Sequence, residues 1–553
     1  MTIGLLDTLV FIAFIAGVIA VSVYAARRER NHEDYFLAGR NLKWWVIGIS
    51  LIASCLSTEQ LVGMNGQAFG GVGLAVAAWA LLAAVAVVVI ALFFMPVFLR
   101  LGIFTMPEFL EYRFGRTTRT VMALYMMILY VVAILAVVLF TGATALEALF
   151  GLDVLLGVWL LGLLAGGYTI FGGLKAVVWS DFIQGITLFV CGGIATWLGL
   201  QEVGGFGALM TENRDQFHLI LPATDTELPW TSLVGGIWIA FFFYWGFNQF
   251  ITQRTLAAKS LAHGQKGMML AAVLLVLSVL IIVLPGLISH QLYSSEIEKA
   301  DQSYAIFVKN IMPLGLRGIF FAAIFGALMS TLDSVLNSAS TIFTMDLYRR
   351  IIHPGASETK LIQIGRISTT AFVVAGCLAA PFLDRFDSIF QYLQSSWGYI
   401  SPAIVGVFVV GIAIRRAPPL AGLMGLLVGP VCYGLLVNSL APELHFLHSM
   451  LLTLGVVVAI EPRQTVLKRP DMYGNLKPVA ANVEQMLVVF APLPTPSSAL
   501  LDRYLVAAEL SEIPATLVLN KADLIDEEVR PFIDELKSLY QRLDYPVLEV
   551  SAH

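Results

Sequence analysis

The sequence predicts an all-α polytopic membrane protein with about 12–13 transmembrane helices, followed by a partial α/β segment. The chain has 553 residues, of which 58% are hydrophobic and 13% are charged. Soluble domains carry about 25% charged residues, so most of this chain is predicted to lie in a lipid bilayer. From about Glu461 onward the charged fraction rises to roughly a quarter, as in soluble domains. This change marks a domain boundary.

The charge pattern and the cysteines exclude some classes of function. The net charge of −5 comes without a concentrated basic block, which disfavours a nucleic-acid partner. The cysteines lie in apolar segments without metal-site spacing: Cys55, Cys191, Cys377 and Cys432. Isolated cysteines of this kind are typically small buried hydrophobic residues, and we expect that role here.

Thirteen apolar segments are candidates to cross a bilayer, which takes roughly 20 mostly apolar residues. Spans 1 to 13 are 7–25, 44–70, 72–98, 119–147, 153–172, 177–200, 229–250, 266–289, 316–345, 366–384, 396–414, 418–437 and 446–460. Span 13 is short. Span 1 has no basic stretch before it and no small-residue cleavage site after it, so we expect a retained helix rather than a signal peptide.

Basic residues concentrate in alternate loops, which follow spans 1, 3, 7, 9 and 11. They include Arg27, Arg28, Arg30, Arg40, Arg100, Arg113, Arg116, Arg119, Arg254, Lys259, Lys266, Arg349, Arg350, Lys360, Arg366, Arg415 and Arg416. Because basic loops stay on the cytoplasmic side, we expect the N-terminus outside and the C-terminal segment in the cytoplasm.

Polar residues and glycine interrupt spans 2 and 7. Span 2 contains "STEQLVGMNG" and span 7 contains "FFFYWGFNQF". The two spans are five spans apart, which is an odd number, so they cross the membrane in opposite directions. If they are equivalent helices of two repeats, the repeats are therefore inverted relative to each other. We expect these repeats at 44–200 and 229–415. Paired broken helices in inverted repeats are typical of secondary transporters with a binding site at the middle of the membrane. Two ordinary kinked helices are the alternative.

Span 9 carries a polar stripe along one helical face. Its members are Ser330, Asp333, Ser334, Asn337 and Ser338. Hydroxyl groups beside unwound carbonyls supply oxygen ligands for sodium, although serines also hold membrane helices together. Asp333 favours an ion site, because an ionisable group at membrane depth is expensive and usually functional.

Four further polar or aromatic residues in the spans are candidates with competing interpretations. Asp181 lies either deep in the membrane or at its interface, and Glu59 either binds a ligand or satisfies backbone amides at the helix break. Tyr244 and Trp245 either stack on a sugar ring or pack in the core, as most membrane aromatics do. The residues alone leave these alternatives open.

Several stretches resemble the sodium:solute symporter family. They are "EDYFLAGRNLKWWVIGISLIAS", "STEQLVGMNG", "GGLKAVVWSDFIQ", "YWGFNQFITQRTLAAKS" and "LNSASTIFTMDLYRR". The resemblance covers roughly residues 1–450 and is closest to the bacterial sodium/galactose symporter. It implies a LeuT-type fold of two inverted five-helix repeats in the bacterial inner membrane, with sodium driving solute uptake by alternating access.

The resemblance also implies sodium ligands by position. The main site would use three carbonyl and two hydroxyl groups, from Ala53, Leu56, Ala327, Ser330 and Thr331. A second sodium site, present in some relatives, corresponds to Asp181, Ser330, Asp333 and Ser334. Asp333 stands where relatives carry Ser, Thr or Ala. It either adds charge to a second sodium site or titrates a proton, and the sequence does not choose.

The resemblance in the solute pocket is partial. Gln60, Tyr244 and Gln391 match residues that contact or cover the sugar, and Trp245 adjoins them. Where the galactose transporter has a glutamate, a serine, an asparagine and a lysine, this chain has Ala80, Ala83, Phe241 and Leu275. Each sugar hydroxyl left unpaired costs about 1–3 kcal/mol. Galactose is therefore disfavoured, and a less polar sugar, a deoxy sugar or another small solute is expected.

The C-terminal segment alternates apolar strands with amphipathic helices and resembles ribosome small subunit-dependent GTPase A from about residue 454. Asn520, Lys521 and Asp523 form an N-K-x-D guanine motif, and Ser551 with Ala552 resembles its companion turn. The phosphate-loop motif G-x-x-x-x-G-K-[ST], which must hold the phosphates, does not occur in the sequence. We therefore expect a fragment with vestigial guanine-binding residues, no GTP hydrolysis and one sheet face exposed.

The leading prediction is a sodium-coupled symporter, not an enzyme, whose partners are sodium ions, the lipid membrane and a small polar solute, foremost a sugar. A symporter of a sugar acid, an amino acid or another carboxylate is one alternative. A solute sensor that retains the fold is another. A membrane-anchored signalling enzyme is disfavoured by the missing phosphate loop.

Overall fold

The computed structural model describes residues 4–26, 31–57, 59–385, 389–414, 417–458, 466–470, 476–481 and 485–551. The chain divides into a large unit, Met1–Arg415 with Pro419–Ile460, and a small unit that consists mainly of Glu461–His553. The large unit is helical, and the small unit combines strands and helices.

All 13 predicted spans form helix. In span order they are Leu5–Ala25, Trp44–Cys55 with Gln60–Phe69, Gly73–Leu101, Arg116–Glu147, Val154–Glu202 for spans 5 and 6, Gly236–Phe247 with Gln249–Leu256, Leu261–Tyr293, Leu316–Ile352, Glu358–Arg385, Ser396–Ala413, Pro419–Leu440 and Phe446–Val458. Within the described residues, nine of these helices are long and apolar enough to cross a membrane, and the bent pair of span 2 makes ten.

Spans 5 and 6 form one helical run with a sharp break inside it. Val154–Glu202 contains 49 residues, but Gly173 has φ 47° and ψ −154°, which is not helical. A Cβ at this position would lie 2.3 Å from the carbonyl oxygen of Tyr35. Glycine is therefore required, and the predicted division between 153–172 and 177–200 is confirmed.

Both predicted helix interruptions are present. The two halves of span 2, Trp44–Cys55 and Gln60–Phe69, meet at an angle of 67°. Span 7 breaks at Asn248, whose φ of −85° and ψ of 123° are extended. The backbone N–H of Phe250 after this break donates to the Tyr130 hydroxyl at 3.2 Å, so a group freed by the break finds a partner.

Span 9 lies in the interior, where nearly every residue from Phe320 to Ile342 is buried. Short helices connect the spans: His32–Leu37, Met106–Phe114, Phe206–Glu212 and Ser303–Ile311. This arrangement brings the polar stripe of span 9 against the broken span 2.

An ion-pair network fixes the helix between spans 3 and 4 to the end of span 9. Arg119 donates to Asp346 Oδ1 at 2.7 Å and to Glu111 Oε2 at 2.7 Å. Arg350 Nε donates to Glu111 Oε1 at 2.9 Å. Burial raises the pKa of Glu111, but the hydrogen bonds from Arg350 and Arg119 outweigh it and hold the pKa below its ordinary value of 4.5.

The small unit contains two sheets. Strands β1 (Val466–Pro470) and β2 (Leu476–Ala481) pair antiparallel. Strands β3 (Met486–Phe490), β4 (Ala515–Leu519) and β5 (Val547–Glu549) form a parallel sheet in that order. Helices Ser498–Leu510 and Arg530–Arg542 connect its strands, which is the predicted β-α-β-α-β pattern.

One face of the parallel sheet is covered and the other is not. The helices pack against Val488, Phe490, Leu517 and Leu519. On the opposite face, Leu487 and Val489 of β3 are 57% and 59% exposed, and Leu548 of β5 is 53% exposed. The exposed face is confirmed for strands β3 and β5, whereas Thr516 of the central strand β4 on the same face is only 4% exposed.

Candidate ion and solute site

The break in span 2 releases backbone carbonyls. In a continuous helix, the N–H groups of Ser57 and Gln60 would donate to the carbonyls of Ala53 and Leu56. Instead, Ser57 N donates to Cys55 O at 2.8 Å, and Gln60 N donates to Ser57 O at 3.1 Å. Among the described residues, two of the carbonyls named as sodium ligands therefore lack the partners that a continuous helix would give them.

Hydroxyl groups of span 9 face this break. The Thr331 hydroxyl donates to Ser54 O at 3.4 Å and to Ala327 O at 3.2 Å. The Ser330 and Ser54 hydroxyl oxygens are 3.1 Å apart. These side chains are buried, so their oxygen atoms form a dry polar cluster between the two spans.

Asp181 of span 6 belongs to the same cluster. It is fully buried within the protein. Its Oδ1 accepts from Ser330 Oγ at 2.5 Å, and its Oδ2 accepts from Ser50 Oγ at 2.5 Å. Among the described residues, its cationic partner is Arg254, whose Nη2 lies 2.8 Å from Oδ2.

The position of Arg254 corrects the topology argument. The positive-inside pattern treated it as a loop residue after span 7, but it lies in helix Gln249–Leu256 and is 1% exposed. The physical reason is the break at Asn248, which starts a second helical segment that carries Arg254 into the interior. In the sequence, a polar segment that follows an apolar span looks like a loop. The buried residue that pairs with it, here Asp181, is distant in the sequence and gives no local signal.

Asp333 lies beside the cluster without a cationic partner in the described part of the chain. Its Oδ2 accepts from the Tyr168 hydroxyl at 2.5 Å and from Ser180 Oγ at 3.3 Å. Ser334 Oγ is 3.4 Å from its Oδ1. All these groups are buried. The low-dielectric interior therefore contains two carboxylates and one guanidinium, from Asp181, Asp333 and Arg254. If both carboxylates are ionised, this group of side chains has a net charge of −1.

A cavity of about 110 Å³ adjoins the break in span 2. In the same measure one water takes about 10–15 Å³, so the cavity has room for a small solute. Its lining comprises Cys55, Gln60, Met64, Gln67, Trp79, Ala80, Ala83, Ala240, Phe241, Tyr244, Trp245, Leu275, Ser278, Leu393 and Trp397.

Residues carried over from the resemblance therefore meet in one place. Gln60, Tyr244 and Trp245 line the cavity, as do the four nonpolar replacements Ala80, Ala83, Phe241 and Leu275. Gln391 lies in helix Ile389–Ala413, but its side chain is outside the described residues, as is that of Glu59.

Trp397 is the main residue that sequence reasoning missed. Its ring stacks on Tyr244 with centroids 5.1 Å apart and planes inclined by 24°. Its indole nitrogen is buried without a hydrogen-bond partner in the described structure, which leaves one donor beside the cavity. The sequence hid this role, because Trp397 is the second residue of predicted span 396–414, at the interface where tryptophan is enriched. The observed helix, Ile389–Ala413, begins eight residues before Trp397.

In the small unit, the residues of the guanine motif also come together. The Ser551 hydroxyl donates to Asp523 Oδ1, and Lys521 N donates to Asn520 Oδ1 at 2.8 Å. Lys521 has φ 59°. The N-K-x-D turn thus has its companion serine in place.

Broken helices around buried oxygen ligands and a small cavity define a polytopic secondary transporter. A model described as the sodium:solute symporter family matches residues 35–429, and the chain belongs to this family. Sodium is its coupling ion. A model described as RsgA GTPase matches residues 460–553, in agreement with the fragment predicted there.

Curated relatives support the same assignment. The chain is 35% identical over 503 residues to a sodium/glucose cotransporter of Vibrio parahaemolyticus, covering 85% of this chain and 92% of the relative. It is 37% identical over 501 residues to an uncharacterised symporter, YidK, of Escherichia coli K12, covering 86% and 87%. A sodium/glucose cotransporter 4 of Danio rerio is 30% identical over 510 residues, covering 82% and 77%.

Solved structures show the fold. A sodium-coupled sialic acid symporter in a substrate-bound outward-open state superimposes with a TM-score of 0.75 at 24% identity, covering 82% of this chain and 96% of that one. A nucleobase-cation-symport-1 family transporter in a closed conformation gives 0.53 at 15% identity, covering 78% and 94%. The predicted LeuT-type architecture is confirmed.

Proposed function

We propose that this protein carries sodium ions and a small uncharged solute, foremost a sugar, across the bacterial inner membrane by alternating access. One observation carries the proposal: the break in span 2 serves both sites. The carbonyls of Ala53 and Leu56 are freed there, and Cys55 and Gln60 of the same segment line the cavity. An ion that orders this segment also orders the cavity wall.

The main sodium ion is proposed to bind the carbonyls and hydroxyls between spans 2 and 9. The ligands are Ala53, Leu56, Ala327, Ser330 and Thr331. The oxygen atoms of freed carbonyls and hydroxyls are hard ligands, which sodium prefers. They carry no net charge, so they bind sodium without holding it too tightly for release. The contact of Thr331 with Ser54 O brings span 9 within ligand range of span 2, and on span 9 itself Ala327 O lies 3.2 Å from the Thr331 hydroxyl.

A second sodium ion is proposed at Asp181, Asp333 and Ser334. Buried charges are stable only when they are paired, and with both carboxylates ionised the cluster of Asp181, Asp333 and Arg254 lacks one positive charge. One monovalent cation restores neutrality. It is proposed to lie near Asp333.

The cavity favours an uncharged solute with an apolar face. Tyr244 and Trp397 offer stacked rings, and Gln60, Gln67 and the Trp397 indole offer a few hydrogen bonds. No described lining residue is charged. A carboxylate would be buried without a cationic partner, which is expensive. This argues against the sugar acids, amino acids and other carboxylates kept as alternatives.

The membrane arrangement is proposed from the basic loops. The N-terminus lies outside and residues 454–553 lie in the cytoplasm, with 44–200 and 229–415 as the two inverted repeats. Arg254 no longer contributes to this pattern, but Lys259 and Lys266 keep the loop after span 7 basic.

The proposal is tested with a thermal-stability scan of purified protein in sodium and in potassium, across hexoses, deoxy sugars, sugar acids and amino acids. A ligand that binds only the folded state raises its apparent stability. We expect stabilisation by sodium and further stabilisation by one uncharged solute only when sodium is present. Stabilisation by a sugar acid instead would overturn the solute assignment, and solute binding independent of sodium would favour the sensor alternative.

A further inference from the structure

Arg254 contacts the oxygens of the second sodium site. Its Nη2 donates to Asp181 Oδ2 at 2.8 Å, to Ser54 Oγ at 2.5 Å and to Ser334 Oγ at 2.5 Å. Its Nε donates to Ser50 Oγ at 2.6 Å. Two of the three residues assigned to the second sodium ion, Asp181 and Ser334, are thus already bound by a guanidinium.

A guanidinium is a permanent cation with donors only. At this position it satisfies the carboxylate and the hydroxyl groups in the way that a bound metal cation does. Sodium needs lone pairs of the same oxygens, so each cation reduces the access of the other. Their charges also repel across a short distance in an interior where screening by salt is weak.

We propose that Arg254 is a tethered cation that competes with the second sodium ion for Asp181. It keeps Asp181 paired when sodium leaves, so that one buried carboxylate rather than two lacks a cation. It also lowers the affinity for sodium, which favours release of the ion. This inference rests on the proposed second sodium site.

The experiment is a sodium titration of thermal stability at constant ionic strength, with potassium as the replacement ion, for wild type, Arg254→Gln and Arg254→Lys. The wild-type response tests the proposed function: without stabilisation by sodium, the proposed function fails. Given that response, we expect the half-saturating sodium concentration of Arg254→Gln to fall at least about fivefold, the lower end of typical coupling between two ligands.

Arg254→Lys keeps a neutralising charge if the glutamine variant does not fold. An ammonium is a single point charge that cannot contact Asp181, Ser54 and Ser334 with the planar fork of arginine. It should be a weaker competitor, so its half-saturating concentration should fall by a smaller factor. An unchanged or higher value in the folded variants would overturn the proposal, because it would show that Arg254 only holds the sodium ligands in place.

Arg119→Gln is the matched control. It removes another buried arginine from another aspartate, Asp346, outside the oxygen cluster. It should lower thermal stability without shifting the half-saturating sodium concentration. A shift as large as that of Arg254→Gln would attribute both effects to general destabilisation and would contradict the proposal.

Discussion

The Thr331 hydroxyl on span 9 donates to the carbonyl oxygen of Ser54, 277 positions away and 3.4 Å distant, at the break of span 2. This contact joins span 9 to span 2. It also locates the candidate ion site between these two spans. The consequences for sodium, solute and stability follow from this geometry.

Removing either hydroxyl of the main site should abolish sodium dependence. Ser330→Ala and Thr331→Ala each delete one of five proposed oxygen ligands in a buried site. We expect sodium-driven uptake to fall to background. The sodium concentration needed for half-maximal stabilisation should rise about tenfold, which corresponds to about 1.4 kcal/mol of binding free energy. Ser340→Ala is the control, since Ser340 is buried on the same span but bonds to Gly365. Normal uptake in both site variants would remove Ser330 and Thr331 from the site.

Neutralising Asp333 should remove one sodium ion from the transport cycle. Asp333→Asn keeps the side-chain shape and still accepts from Tyr168, but it removes the uncompensated charge. The ratio of sodium to solute taken up should fall by one, measured with radiolabelled sodium and solute in proteoliposomes. Tyr168→Phe keeps the carboxylate and should keep the ratio. An unchanged ratio in Asp333→Asn would assign the second ion elsewhere.

The indole donor of Trp397 should contribute to solute binding. Trp397→Phe keeps an aromatic ring against Tyr244 but deletes the unpartnered N–H. A neutral hydrogen bond contributes about 0.5–1.5 kcal/mol, so we expect the solute Kd to rise by roughly 2- to 12-fold with little change in sodium affinity. Trp197→Phe, at a 59% exposed position, should have no effect. Equal effects in both variants would contradict a role in the cavity.

The ion-pair network at the end of span 9 should matter for stability rather than for ion selectivity. Removing one partner of a buried ion pair costs about 3–5 kcal/mol, so Arg119→Ala, which leaves Asp346 unpaired, should strongly lower Tm. Glu111 has a lowered pKa in the folded protein. Its contribution is therefore complete above the ordinary pKa and is lost as pH falls through the lowered folded value. Glu111→Gln should flatten the loss of Tm below pH 4.5, and an unchanged profile would contradict this assignment.

Much of the fold could be predicted from sequence because bilayer spans have a simple signal. Length and hydropathy located a helix in each predicted span, and the glycine-interrupted segments located both breaks. In the described residues, however, the helices of spans 7 and 13, Gly236–Phe247 and Phe446–Val458, are shorter than a membrane span needs. Span 9 was identified by helical periodicity, since Ser330, Asp333 and Ser334 share one face and do meet span 2, span 6 and Tyr168. These features are local in sequence.

What the sequence missed depends on distant contacts. Arg254 and Asp181 are separated by 73 positions in the sequence. The residues next to Arg254 do not indicate that it has a buried partner. Trp397 and Tyr244 are joined only by the packing of span 11 on span 7. The charge deficit beside Asp333 appears only when Tyr168, Ser180 and Arg254 are placed around it. Such groupings arise from tertiary structure rather than from a pattern in one segment.

The central claim is tested most directly by uptake of a labelled uncharged solute into proteoliposomes with an inward sodium gradient. The solute is the one identified by the stability scan. With sodium outside, we expect the solute to accumulate inside the proteoliposomes above its external concentration. This accumulation should disappear when potassium replaces sodium or when the Ser330→Ala variant replaces the wild type. Equal uptake with and without a sodium gradient would contradict the account, because the break in span 2 would then not couple the ion to the solute.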